Sequence, residues 1–599
     1  MSNELTINQK INGSENIRWD LTDLFDGIND PKINEALALS SDRAVAFKQK
    51  YKRKVHTLTP IDLNHAYTEL IEVFEPIYRV HQFGSLSLST NTSNDDVKQL
   101  SARIEETLSS ISNKILFFSL ELAERDDLEG LENIPGLEDF KYNLNQTHKT
   151  KKYNLSEKEE QLINLKSLTG KSAFKKLYSE YTSSFTFEFE IDGEVKDLTG
   201  AELRSLRQHP DPDVRHRAMD TFFAKFRDNK LIFTHVYNDI IKDYNIDRNL
   251  RGYPSSINVM NVNNDIDDNA VNALIDVTTE SNTLVQRYYK LKRNMLGLDE
   301  LTLADIYAPL PNASKSYTWS EAKNLVLEAF ASFDDEFYIL AKSMFDLNRI
   351  DGPAVPNKRG GAFCSSSTPD LKPYVLLNFT GKLRDVSTMA HELGHAIHAM
   401  LSTSQHLFNY HPIMPLAETA SVFSEMILTD KFLKEMDDKD AKIALLTSKL
   451  EDIFATSHRQ NMFSRFEVKT HKIISERLMS ADELCEAYRE ELEEMFGDSV
   501  AYSDIYNWEW ASIPHMLNVP FYVYAYNFAN LLVIALYQQY LDEGDDFVPK
   551  FKKFLGSGSS ASPSDLTKTM GVDINNPDFW RQSMKYIEGM INQLEELLS

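Results

Sequence analysis

The chain has 599 residues, 42% hydrophobic and 26% charged, an apolar share that excludes a disordered scaffold. Its 64 basic residues against 90 acidic ones leave −26 at pH 7, a field that repels phosphate backbones and anionic lipid, so no nucleic-acid and no membrane partner is expected. With 21 Gly, about half the usual ~7% share, and abundant Leu, Glu, Lys and Ala, the composition predicts a mostly helical protein. Cys364 and Cys485 allow at most one bridge and fit a reducing cytosol. The opening MSNELTINQK has no basic-then-apolar signal pattern, and the apolar run Leu531 to Tyr537 is far short of the ~20 residues that span a bilayer. A soluble, cytoplasmic protein is the expectation, its oligomeric state unknown.

In chain order, the first 180 or so residues read as amphipathic helices, for example around Leu116, Leu120 and Leu122. The alternating run from Phe185 to Ile191 meets Asp192-Gly193, a hairpin signal. A boundary there divides an N-terminal helical region, 1–195, from a second region, 196–599. Asp211 then Pro212 is an N-cap with a first-turn proline, followed by a core stripe of Ala218, Met219, Phe222, Phe223 and Phe226. Between Asp351 and Thr380, Gly and Pro punctuate short apolar pieces, ending in a predicted strand, Tyr374 to Phe379. Asp385 is a plausible N-cap for the helix that follows. Gly556 to Pro563 reads as a flexible loop without a phosphate-binding pattern, and Met584, Ile587, Ile591, Leu594 and Leu598 form a helical packing seam.

The chemistry concentrates in Met389-Ala-His391-Glu392-Leu-Gly-His395-Ala-Ile-His398. On a helix, positions i and i+4 share a face, so His391 and His395 direct imidazoles to one point, a zinc half-site. Glu392 stands beside the first ligand, placed to serve a water rather than the metal. Gly394 leaves room for another backbone or a substrate. A third ligand is expected from Glu418 or Glu425, seven positions apart on the next helical segment. Glu418 is favoured by its early position, with Glu425 left to orient a ligand's free ring nitrogen. Two His and one Glu around a single zinc, with Glu392 as proton carrier, predict amide hydrolysis. Oxyanion donors are sought in the aromatic stretch after Asn507: His515, then Tyr522, Tyr524 and Tyr526 on alternate positions. Trp508 and Trp510 are read as packing, and His398 as a support for the site.

These residues resemble oligoendopeptidase F, within the wider thimet-oligopeptidase family of zinc metallopeptidases. Matching pieces are Trp19-Asp-Leu21, Arg287-Tyr-Tyr289, Lys358-Arg-Gly-Gly-Ala-Phe-Cys364, Thr388 to His395, Ala417 to Ser421 with Glu425, Ile513-Pro-His515, Pro520 to Tyr524 and Gly571-Val-Asp573, so the likeness runs along the whole chain. Met516-Leu517 departs from the aromatic pair that usually follows the histidine. The resemblance implies a large, mostly α body divided by a deep substrate channel, with a small β-sheet next to the zinc-binding helix, as in gluzincin-type HExxH peptidases. It implies metal ligands His391, His395 and Glu418, Glu392 as base, and His515 with a tyrosine among Tyr522, Tyr524 and Tyr526 as substrate and oxyanion contacts. The strand ending at Phe379 is a candidate for pairing with the peptide backbone. The implied activity is endopeptidase action on short unfolded oligopeptides. The alternatives are a zinc exopeptidase and a non-catalytic helical peptide-binding protein, although a binding module has no use for Glu392.

Overall fold

Strands β1 (Thr186–Ile191) and β2 (Glu194–Thr199) form an antiparallel pair with Ile191 opposite Glu194 and Gly193 at φ +78° in the turn. Phe187 and Phe189 are buried while Glu188 and Glu190 face out, the alternation the sequence predicts. In this computed structural model, residues 12–191, 193–310 and 316–599 are described; the first eleven residues, which include the opening MSNELTINQK, Asp192 of the hairpin turn and residues 311–315 lie outside them. Helix dominates, with two small sheets, in agreement with the expected class. No helix among the described residues is long and apolar enough to cross a membrane.

The chain divides into two units, each drawn from three stretches. The first comprises Met1–Lys151, Ser314–Glu435 and Gln539–Val572. Its N-terminal helices, Pro31–Tyr51, Pro60–Thr90 and Asp95–Ile115, bury a core in which Tyr67 stacks on Phe140 at 4.4 Å and Phe47 meets Phe118 edge-on at 5.5 Å. Leu116 falls at the junction with the next helix and is 54% exposed, so it is not part of that core stripe.

The same unit holds a three-stranded sheet in the order β3 (Ile350–Pro353), β5 (Tyr374–Phe379), β4 (Phe363–Ser365). The predicted strand from Tyr374 to Phe379 is present, but it is central, parallel to β3 and antiparallel to β4. Over Tyr374–Leu376 the β4 side is taken and β3 holds the other, so along that stretch β5 does not offer a free edge to a peptide; β4 is the outer strand on that side. The loop before β4 is pinned. Lys358, its side chain fully buried, donates to Asp351 Oδ1 at 2.6 Å and to the carbonyls of Pro353 and Leu377, and Asn378 donates to the carbonyls of Arg359 and Gly361.

Gly556 to Pro563 is a packed turn rather than a loose loop. Ser559 N–H donates to the Asn409 carbonyl at 2.8 Å, and a Cβ on Gly558 would stand 2.1 Å from that oxygen. The second unit comprises Lys152–Ala313, Met436–Gln538 and Asp573–Ser599. In it, Asp211 caps the helix Pro212–Asp228 as predicted, and Phe222 of the buried stripe stacks on Phe187 of the hairpin. Met584, Ile587, Ile591 and Leu594 of the C-terminal helix Pro577–Leu598 are buried within the chain. Cys364 and Cys485 are both free thiols.

Candidate metal centre

The HExxH segment lies on the helix Leu383–Leu401 of the first unit. Asp385 is not its N-cap but sits in its first turn. There its carboxylate accepts the N–H groups of Thr380 (2.7 Å) and Lys382 (3.1 Å), satisfying donors that a helix start leaves unpaired. The helix packs on Thr419–Glu435, and Gly394 sets how closely. A Cβ at Gly394 would lie 2.6 Å from the Ala420 carbonyl oxygen, 2.6 Å from Ser421 Cα and 2.7 Å from Ser424 Oγ. The room that Gly394 leaves is therefore taken by another backbone.

That approach brings the predicted ligands together. His391 Nε2 and His395 Nε2 each lie 3.4 Å from the same oxygen, Glu418 Oε2. Ligand atoms about 2.0–2.2 Å from one ion at tetrahedral angles stand about 3.3–3.6 Å apart, so both separations match the edge of a tetrahedral metal site. One ligand atom from each of the three residues lies within 4.8 Å of the others, and no other such group of His, Cys, Asp or Glu occurs among the described residues.

Second contacts orient the set. Glu425 Oε1 accepts from His391 Nδ1 at 2.7 Å; a carboxylate only accepts, so Nδ1 carries a proton and Nε2 is the nitrogen left for a cation. Ser421 Oγ–H donates to Glu418 Oε2 at 2.7 Å and to its carbonyl at 3.0 Å. Without a cation, burial would lower the His391 pKa, but the Glu425 hydrogen bond and the charges of Glu425, Glu418 and Glu392 outweigh it and hold the ring up at about 9. Burial likewise opposes ionisation of Glu418, yet His395, His391 and Ser421 pull it down to about 2. Imidazole nitrogens and an ionised carboxylate are thus gathered at one point, a donor set suited to a divalent cation.

Glu392 is 5% exposed, and its Oε2 is buried with no hydrogen-bond partner. Burial pushes its carboxyl above the usual value, against the pull of His391 and His395. His398 is buried, its pKa lowered to about 3 by desolvation; it packs rather than reaching out.

The remaining sequence-predicted residues lie in the second unit. His515 stacks on Tyr522 at 6.2 Å, and Tyr526 stands edge-on to both rings, at 6.1 Å from His515 and 5.1 Å from Tyr522. Tyr524 does not join them: it is fully buried, and its hydroxyl accepts from Asn264 Nδ2 at 2.9 Å. The reason is helical periodicity. The helix Tyr524–Glu543 starts here, so positions 522 and 526 share a side while 524 turns to the opposite one. Trp508 and Trp510 are buried, as the packing reading expects. Sequence reasoning missed Ser421, whose only signal was its place three residues after Glu418, and missed the positive φ of +63° at Phe521, which had none.

The profile of peptidase family M3 matches residues 205–586, and that of oligopeptidase F matches residues 122–187. The chain is 27% identical to an oligoendopeptidase F homolog of Borreliella burgdorferi over 94% of this chain and 95% of that one. It is 26% identical to oligopeptidase PepF of Bacillus subtilis over 97% and 87%. A crystal structure of a putative peptidase from Chlamydophila abortus superposes with a TM-score of 0.88 at 24% identity, covering 97% of this chain and 98% of that one. That of oligoendopeptidase-F from Enterococcus faecium gives 0.71 at 22%, covering 95% and 99%.

Proposed function

From the premise that the chain belongs to peptidase family M3 and is a metallo-oligopeptidase acting on peptides, we propose that one zinc ion is its metal and that it cuts internal bonds of short unfolded peptides. The observation that carries this reading is the 3.4 Å convergence of both imidazole Nε2 atoms on Glu418 Oε2, beside the unpartnered Glu392 Oε2. His391, His395 and Glu418 are the residues that hold the ion. Zinc, when bound, supplies a Lewis acid that makes water acidic near neutral pH.

The rest of the chemistry belongs to the side chains. Glu392 accepts a proton from the attacking water and hands it to the leaving nitrogen, a shuttle helped by the burial that raises its affinity for protons. Glu425 fixes the His391 tautomer, and Ser421 fixes the Glu418 carboxylate. We assign substrate hydrogen bonds to His515, Tyr522 and Tyr526, and a packing role to Tyr524. The peptide backbone pairs with β4, the outer strand. The catalytic region is taken as 196–599. The free thiols and the charge of −26 fit a cytoplasmic site of action.

Internally quenched peptides capped at both ends test this reading. Cleavage that stops with chelator supports a metal endopeptidase; capped peptides left whole while free-ended ones are trimmed would make it an exopeptidase.

A further inference from the structure

We propose that Glu467 is a positioning residue for Tyr522 and Tyr526, which it aligns by holding Phe521 in a left-handed backbone conformation. The inference rests on the reading above, in which those tyrosines donate to substrate.

The turn itself is unusual. Tyr522 N–H donates to the Val519 carbonyl at 3.0 Å, so Val519, Pro520, Phe521 and Tyr522 form a hydrogen-bonded β-turn. Proline fixes φ near −65° at the second position, and Phe521 has φ +63° at the third. This is the type II pattern, whose third position asks for Gly or Asn because an L side chain there crowds the backbone. A phenylalanine persists at such a site only if its surroundings hold it.

Two residues one turn apart on the helix His458–Glu476 do so. Glu467 Oε1 accepts the Phe521 N–H at 2.8 Å. The His471 ring packs on the Phe521 ring at 4.4 Å, backed by Tyr244 at 5.2 Å from His471 and 6.1 Å from Phe521. Phe521 and Glu467 are fully buried, and His471 nearly so. Glu467 Oε2 and both His471 ring nitrogens have no hydrogen-bond partner. Burying two such polar groups, with one hydrogen bond between their side chains and the protein, is costly unless that bond is needed. Burial pushes the Glu467 carboxyl up to about 8, so at neutral pH it grips the turn as a neutral acid.

What the turn controls lies immediately after it. Ala525 N–H donates to the Tyr522 carbonyl, which starts the helix, and Tyr526 follows one turn on, its ring against Tyr522 and His515. The Asn264 contact fixes Tyr524 on the other side. The φ of Phe521 therefore sets the direction in which Tyr522 and Tyr526 leave the chain. Glu467 touches neither ring; it acts through the backbone.

The test compares kcat and KM on a capped quenched peptide. Glu467→Gln keeps the Oε1 acceptor and is expected to hold kcat within about twofold, whereas Glu467→Leu loses about tenfold or more in kcat with KM changed far less, the signature of weakened transition-state donors. Combined with whichever of Tyr522→Phe and Tyr526→Phe costs more, Glu467→Leu should add little further loss; multiplying losses would mean that it acts independently and would overturn the proposal. Should Glu467→Leu not fold, Phe521→Gly against Phe521→Ala decides. Both delete the ring, but only glycine accepts the left-handed turn, so glycine should turn over about fivefold faster; equal rates overturn the proposal. A large loss in a tyrosine variant with normal Glu467→Leu removes the clamp alone. Near-normal rates for both tyrosine variants remove the substrate-donor reading and the clamp's role with it.

Discussion

His391 and Glu425 are joined by a 2.7 Å hydrogen bond from Nδ1 to Oε1, across two helices that Gly394 allows to meet. One imidazole thus has Nδ1 taken by a carboxylate while Nε2 is left to the candidate metal position, 3.4 Å from Glu418 Oε2. Replacing Glu425 by Ala should leave the fold intact and lower zinc affinity by about 10–100-fold, as expected for loss of a ligand's orienting partner. Competition with a fluorescent zinc chelator measures it, and unchanged affinity would remove Glu425 from the centre.

Glu392→Gln keeps the shape and removes the proton acceptor. It should retain stoichiometric zinc by elemental analysis while kcat falls by about 10²–10⁴. Normal turnover would transfer the base role elsewhere.

Gly394→Ala tests the helix approach. The added Cβ meets backbone at 2.6 Å, which cannot swing aside, so the helices must part. A stability loss of about 1–3 kcal/mol by denaturant titration is expected, together with weaker zinc binding. A variant as stable and as tightly zinc-bound as the parent would contradict the packing account.

The Glu467 carboxyl makes a pH prediction. Its folded pKa of about 8 exceeds the reference value of 4.5 because of burial, only partly offset by the Phe521 N–H. The folded state therefore binds the proton more tightly than the unfolded one. This contribution to stability is fully present below about pH 4.5 and is lost as pH rises through about 8. The groups around it, Tyr237, Tyr244 and His471, carry no charge in that range: burial raises both tyrosines and lowers His471 to about 3. Denaturation of the parent and of Glu467→Gln at pH 6 and pH 9 should show the parent losing more stability at the higher pH; parallel losses would mean that the carboxyl is not buried as described.

Tyr524→Phe removes the acceptor for Asn264. The expected cost is about 1 kcal/mol of stability with kcat nearly unchanged, the reverse of what the proposed substrate role predicts for Tyr522 or Tyr526. A large kcat loss with normal stability would return Tyr524 to the substrate group.

Much of the candidate metal centre's geometry was legible because it follows from a helix alone. Spacing of four puts His391 and His395 on one side, and Glu418 is early enough in the next segment to meet them. The hairpin and the Phe222 stripe were legible for the same reason, since local periodicity decides which face is buried, and the strand Tyr374–Phe379 was legible as an unbroken apolar run, buried on both faces. What failed depended on where elements begin or on partners distant in sequence. The three tyrosines were read with period two, yet the helix starts at Tyr524 and imposes its own period. The central place of β5 depends on β4, three residues long and too short to signal itself. Gly558 looked like a loose linker because its close contact, Asn409, is far away along the chain. The turn at Phe521 gave no sign because its support, Glu467, lies 54 residues earlier.

Titrating zinc into chelator-stripped protein while following cleavage of a capped peptide tests the central claim most directly. Activity should be absent without metal and rise to a plateau at one zinc per chain, with Glu418→Ala failing to reach it at the same zinc concentration. Full cleavage by the stripped protein, or a Glu418→Ala variant that binds and responds like the parent, would contradict the two-histidine, one-glutamate centre.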